Sequence, residues 1–263
     1  MASNLPQSGV RCRTRILGID FFHGSAEEAV ELMNRGGLLV VPAASALKDL
    51  PTNSAYCEAL VNADLAITDS GFMVLIWNCL SFRWISRLSG LEYLRCLLQQ
   101  PSVRRPGNAM WIMAGPASAR FNLEWLAEHG IEVPDHCTYL APMYDNDIHD
   151  QDLLARLNEL KPQHILLTLG GGTQERLGLY LKRNLDYLPA IHCTGAAIAF
   201  LSGDQVHIPN WADTFYLGWL FRSFSDPKRF IPRYWSARKL LGLMARNRDR
   251  LPASEPDTVA ERI

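Results

Sequence analysis

The run His164-Ile165-Leu166-Leu167-Thr168-Leu169-Gly170-Gly171-Gly172-Thr173-Gln174-Glu175 carries the reading of the fold. Residues 164–169 are mostly apolar without alternation, the mark of a strand covered on both faces, and strands of that kind belong to parallel sheets. Three glycines then permit a sharp turn and a close backbone approach, and residues 174–184 continue with helical spacing. Strand, glycine turn and helix make one βα unit. Further strands are expected at 15–22, 38–41, 65–68, 110–114, 138–140 and 191–194, with helices among them at 54–62, 90–99, 118–129 and 150–160. Ser25, with Glu28 three residues on, forms a capping box for a helix through Asn34 that Gly36 and Gly37 end. This alternation predicts an α/β fold, a Rossmann-like and mostly parallel sheet flanked by helices.

A chain of 263 residues with 48% apolar content buries a full core of this type. Positions 10–208 are assigned to that core, 209–250 to a C-terminal helical appendage rich in basic and aromatic residues, and 251–263 to a tail expected to fray. Charge is segregated along the chain. Between Phe215 and Arg250 nine basic residues face only Asp226 and Asp249, a net +7, so with a total of −1 the remainder carries −8. Lys228, Arg229, Arg233, Arg238, Lys239, Arg246 and Arg248 are interleaved there with Phe224, Phe230, Tyr234 and Trp235. Amphipathic rings and long cationic side chains suit an anionic membrane surface. The plainer reading is a solvated helix face beside ordinary core aromatics. No nucleic-acid motif accompanies the charge, and nucleic acid is not expected as a partner. The first nine residues lack the apolar segment of an export signal, and the apolar stretches 36–47 and 71–82 fall short of the ~20 residues that span a bilayer. Membrane contact is therefore expected to be peripheral. The six cysteines form no CxxC pair and read as reduced, buried thiols; Cys193 has no base beside it in sequence.

Ligands of open α/β sheets bind at the carboxyl ends of strands. Asp69 stands at one such end, followed by Gly71, where it suits either a general base or a helix N-cap; its neighbour Asp64 reads as the start of the strand. Gly170 to Gly172 stand at another, before a helix whose N-terminus offers N–H groups to a pyrophosphate, although neither GxGxxG nor a P-loop lysine is present. Residues 194–203, rich in Gly, Ala and Ser, follow a third. Asp145-Asn146-Asp147, with His149 and Asp150, imitates a metal-diphosphate loop but reads first as turn and capping chemistry. The seven histidines show no zinc spacing, and neither a metal nor a cofactor is expected.

Taken together these segments resemble glycosyltransferase family 26, the WecG/TagA/CpsF group, from about Ile16 to Tyr234. The resemblance is carried by Ile16-Leu17-Gly18-Ile19, Ala63-Asp64-Leu65 ending at Asp69, Arg87 with Gly90, Gly170 with Gln174 and Glu175, Phe200 to Gly203, Pro209 with Trp211, and Leu217 to Arg222. It implies an inverting transferase that moves a sugar from a UDP donor to a polyprenyl-diphosphate-linked saccharide, peripherally at the cytoplasmic face of the inner membrane, with other polysaccharide-assembly enzymes as possible partners. Asp69 is then the base, Arg87, Gly170, Gly172, Gln174 and Glu175 contact donor or acceptor, and Arg222 binds diphosphate from the appendage. Val41, Ala43, Ala199 and Gly218 stand where the group usually carries polar residues. Their loss implies a donor without an acetamido arm, as in members that add glucose from UDP-glucose in β-1,4 linkage in xanthan-type exopolysaccharide assembly. The alternatives are an N-acetylmannosaminyl or N-acetylmannosaminuronyl transferase, or a non-catalytic sugar-nucleotide-binding subunit.

Overall fold

The computed structural model describes residues 12–145, 147–203 and 238–253. The strands are β1 (Arg13–Ile16), β2 (Ile19–Phe22), β3 (Gly37–Val40), β4 (Leu65–Ile67), β5 (Ala109–Met113), β6 (Thr138–Leu140), β7 (His164–Thr168) and β8 (Ala190–Cys193). They form one sheet in the order β1-β2-β4-β3-β8-β7-β5-β6. Only the β1–β2 pair is antiparallel; β2 through β6 run parallel. The helices are α1 (Ala26–Met33), α2 (Ala44–Leu47), α3 (Ser54–Val61), α4 (Gly71–Ser81), α5 (Gly90–Leu97), α6 (Pro101–Arg104), α7 (Pro116–Glu128), α8 (Gln151–Leu160), α9 (Thr173–Asn184), α10 (Ala197–Leu201) and α11 (Lys239–Asn247).

The central strands send alternate side chains into two separate cores. Leu38, Val40, Ile165, Leu167, Met110 and Ile112 pack with α3, α4, α8 and α9 on one face. Leu39, Leu166 and Trp111 pack with α1, α5, α7 and α10 on the other. A strand with an apolar demand on both sides has no room for alternation, which is why the opening stretch reads as one unbroken run. Gly178 brings α9 down onto the sheet, since a Cβ there would sit 2.6 Å from Leu38 Cδ1. Asp64 marks the start of β4 and accepts from the Leu38 N–H at 2.7 Å and from Lys182 at 2.7 Å.

The expected strand 15–22 is instead a hairpin. Leu17 and Gly18 both take positive φ, 51° and 78°, as the tight turn between twisted antiparallel strands requires. A leucine conceals that turn from a sequence reading because it rarely adopts this conformation. Here Leu17 is fully buried, and its N–H and that of Gly18 donate to Arg248 O at 2.7 Å and Asp249 O at 3.0 Å. The turn is thereby held by the residues after α11, whose Leu240 and Met244 join the core of the α4 face. The apolar stretch 71–82, not assigned as a helix from sequence, is mostly α4. The cysteines also differ from expectation: Cys137 and Cys193 are buried, Cys12, Cys57 and Cys96 are half-buried, and Cys79 is exposed.

Candidate active site at the carboxyl edge

Register fixes what shares one height above the sheet. Val40 pairs with both Ala66 and Cys193, and Cys193 pairs with Leu167. Asp69, Ala43, Ala196 and Gly170 each follow two or three residues past the ends of β4, β3, β8 and β7, and so belong to one carboxyl edge. In the sheet order β4-β3-β8-β7, the strand that leads to Asp69 and the strand that leads to Gly170 have two strands between them.

Asp69 is not the cap of α4. That role falls to Ser70, whose hydroxyl accepts from the Met73 N–H at 3.2 Å. The Asp69 carboxylate turns instead to the start of α5 and accepts from the Gly90 N–H at 2.9 Å. Arg87 holds the same residue from two sides: Nε donates to the Asp69 carbonyl at 2.6 Å, and the guanidinium lies 3.7 Å from Oδ1. The Asp69 side chain stays 30% exposed while Arg87 is 15% exposed, so one carboxylate is oriented by the protein yet reachable from solvent. A Cβ at Gly90 would press on Val41 Cγ1 at 2.9 Å, so glycine lets the start of α5 lie against the residue that follows β3, whereas Asp69 Oδ1 at 3.7 Å would be an ordinary contact. Sequence reasoning missed Thr68. Its buried hydroxyl donates to Ser86 O at 3.0 Å and accepts from the Leu88 N–H at 3.0 Å, fastening the Arg87 loop to the end of β4. A threonine at a strand's carboxyl end was the available signal.

The glycine turn is built from Glu175. Gly172 takes φ 93° as N-cap of α9, and its N–H donates to Glu175 Oε2 at 2.6 Å. Burial pushes the Glu175 carboxyl up, against the Gly172 N–H and the Gln174 amide, which favour the charged form. Arg176 braces the turn by donating to Gly172 O at 3.0 Å and to Asp145 O at 3.0 Å. The N–H groups of Gly171 and Thr173 find no acceptor among the described residues. Beside them lies an open cleft of about 300 Å³, unforeseen from sequence, lined by Lys48, Asp49, Asn53, Tyr56, Gly171 and Gly172 among others. Gln174 Oε1 and the Thr194 hydroxyl are buried without a partner among the described residues, and the Gln174 side-chain amide donates to Glu175 at 3.2 Å. Buried polar atoms are ordinarily satisfied, so this edge carries hydrogen-bonding capacity that the described residues do not use.

The remaining candidates separate clearly. Arg222, Lys228, Arg229 and Arg233 lie outside the described residues, as does Asn146. Arg238, Lys239, Arg246 and Arg248 are exposed on α11 or at its ends. Asp150 caps α8 by accepting from the Leu153 N–H at 2.9 Å and also receives the Tyr139 and Tyr144 hydroxyls, so its carboxylate is committed to the fold. Among the described residues no group of three or more His, Cys, Asp or Glu could hold a metal ion. Burial pushes the Cys193 thiol up, and its Sγ lies 3.3 Å from Gln174 O, which suits core packing rather than a nucleophile. No helix of the described residues is long and apolar enough to cross a membrane.

Compared with known proteins, residues 14–253 match the model of the glycosyl transferase WecG/TagA/CpsF family. No curated protein matches the chain. The match spans nearly the whole sequence, and the chain belongs to that family of glycosyltransferases.

Proposed function

We propose that this member of the WecG/TagA/CpsF family is an inverting transferase that moves glucose from UDP-glucose, in β-1,4 linkage, onto a polyprenyl-diphosphate-linked sugar in exopolysaccharide assembly of the xanthan type. The observation that carries the reading is the Asp69 carboxylate, oriented by Gly90 and Arg87 at the carboxyl edge and still open to solvent. In this reading Asp69 takes the proton from the acceptor 4-hydroxyl as that oxygen attacks the anomeric carbon. The new C–O bond forms on one face while the bond to the donor phosphate breaks on the other, and UDP leaves with the electron pair. Its charge is met by the open N–H groups of Gly171 and Thr173, by Arg222 from the appendage, and by Lys48 in the cleft as it exchanges its Asp49 carboxylate partner for the phosphate. Gln174 and Thr194 supply unspent hydrogen bonds for sugar hydroxyls. The exposed cations Arg238, Lys239, Arg246 and Arg248 bring the enzyme peripherally to an anionic membrane that holds the acceptor. Ala43, on the same carboxyl edge as Asp69, offers no side-chain hydrogen bond to an acetamido group, which supports a plain hexose as donor.

A donor screen tests this directly. With a synthetic glucosyl-diphosphate lipid, UDP-glucose should raise the acceptor mass by one hexose, and UDP-N-acetyl sugars should not. Transfer from an N-acetylmannosamine donor instead would assign the older activities of the family. The second reading, a sugar-nucleotide-binding subunit without turnover, is favoured by Ala43 and Ala199 standing in place of polar groups. UDP binding with no transfer from any donor would select it.

A further inference from the structure

Helix α4, Gly71–Ser81, contains no charged residue, yet one side of it faces solvent. Phe72 is 41% exposed and Leu75 47%, and Cys79 is exposed on the same side. Spacings of three and four residues align them in one stripe, and Phe82, the C-cap, extends it. Phe82 is 95% exposed and Trp84 is 85% exposed, with Arg83 between them. Two large rings held almost wholly in water need a reason.

Looseness is not that reason, because the loop is tied at every step. Phe82 takes the left-handed region at φ 53°, a conformation that costs a non-glycine residue energy and aims its ring outward. The Ser81 hydroxyl bonds both the N–H and the C=O of Arg83, at 3.2 and 3.3 Å. The Asn78 side chain does the same for Ile85, accepting at 2.9 Å and donating at 3.1 Å, and Ile85 is buried. The Ser86 hydroxyl then donates to His23 O. The rings are thus presented by a rigid support.

We propose that the α4 stripe and the Phe82-Arg83-Trp84 tip form a wedge that inserts into the headgroup boundary of an anionic bilayer. Charge complementarity supports a lipid partner. α11, which with its ends carries exposed Arg238, Lys239, Arg246 and Arg248, packs against α4, and Arg83 sits at the tip. Apolar insertion beside a basic rim is the pattern of interfacial anchors. Area argues against a second copy of the chain: a narrow stripe on a helix ~16 Å long offers roughly a few hundred Å², below the ~800 Å² per partner of a stable interface. A fluid bilayer demands no matching concavity. The placement also serves the chemistry, and here the inference rests on the lipid-linked acceptor proposed above. α4 begins next to Asp69 and the tip lies three residues before Arg87, so seating the wedge sets both at the membrane surface.

The test uses the full chain and vesicles of phosphatidylethanolamine with phosphatidylglycerol, against phosphatidylcholine alone. Phe82→Ser with Trp84→Ser should lower co-sedimentation on the order of tenfold at a salt concentration that screens the basic residues. Phe82→Leu with Trp84→Phe should retain it. Turnover of a short-chain, detergent-soluble acceptor should be unchanged in both, and an unaltered thermal midpoint shows that the fold is intact. Equal sedimentation of the serine variant and wild type overturns the proposal. So does loss of self-association in the ultracentrifuge with vesicle binding preserved, which would assign the stripe to a second copy, or unchanged binding with a changed protease pattern in residues 204–237, which would assign it to that segment. Absence of any sugar transfer by the wild type would defeat the enzymatic reading while leaving the sedimentation result to stand by itself.

Discussion

At the scale of single residues, the chemistry turns on what orients one carboxylate. Asp69→Asn keeps the Gly90 hydrogen bond through the amide oxygen but cannot take a proton, so the fold and UDP binding should persist while kcat falls by ~10² or more. Calorimetric titration with UDP beside the turnover assay separates the two. Thr68→Val should act one step removed. It deletes the bonds to Ser86 and Leu88 that fix the Arg87 loop, leaves the Leu88 N–H unpaired, and should cost ~1–3 kcal/mol of stability together with kcat. The Thr68→Ser variant should recover both, as read by denaturant midpoints and initial rates. Asp69 was legible in the sequence because an acid two residues past an apolar triplet falls just beyond a strand end. Which of two adjacent polar residues caps α4 was not legible, since Asp69 and Ser70 are equally good caps until α5 is seen to approach one of them.

At the scale of elements, the glycine turn and its flanking strand and helix follow from local pattern and appear where the pattern puts them, whereas the hairpin and the cleft depend on distant contacts. The Leu17–Gly18 turn is held by residues after α11, more than two hundred positions away, and no window of sequence contains that support. A second long-range construction joins α5, β8 and β7. Tyr93, His192 and His164, all buried, form one hydrogen-bonded chain with the half-buried Ser102 of α6, with steps of 2.8, 3.2 and 2.9 Å. Burial lowers His164 to about 4 and takes His192 well below the ordinary imidazole value, aided by the neighbouring ring. A base depressed in the folded state contributes stability that is present above its unfolded value near 6.5 and lost as pH falls toward the folded one. Urea unfolding between pH 7 and about 4 should therefore show stability falling with pH, each histidine contributing up to ~1.4 kcal/mol per unit. Replacing His192 by Gln should flatten that slope by about one proton, and an unchanged slope would remove the pair from the pH response.

At the scale of the whole molecule, charge is segregated along the chain. The acidic α/β core carries the edge with Asp69 and the glycine turn, while the exposed cations Arg238, Lys239, Arg246 and Arg248 lie on α11 or at its ends. Arg238, Lys239, Arg246 and Arg248 changed together to Gln should weaken sedimentation with anionic vesicles at low salt, each residue near such a surface being worth ~1 kcal/mol, without altering turnover of a soluble acceptor. Fold class was legible because both cores impose their demands on short, contiguous runs. The polarity of the chain was legible by counting charges. The cleft beside Lys48 and Tyr56 was not, because it forms only when β3, with the residues after it, lies two strands from β7. A single carboxylate acting as base requires single displacement, and that is the account's central claim. Nuclear magnetic resonance of the purified lipid-linked product, made from the α-configured UDP-sugar, reads it directly. A β-configured new linkage is the result predicted; an α-linkage would mean retention, demand a mechanism other than one base at Asp69, and contradict the account.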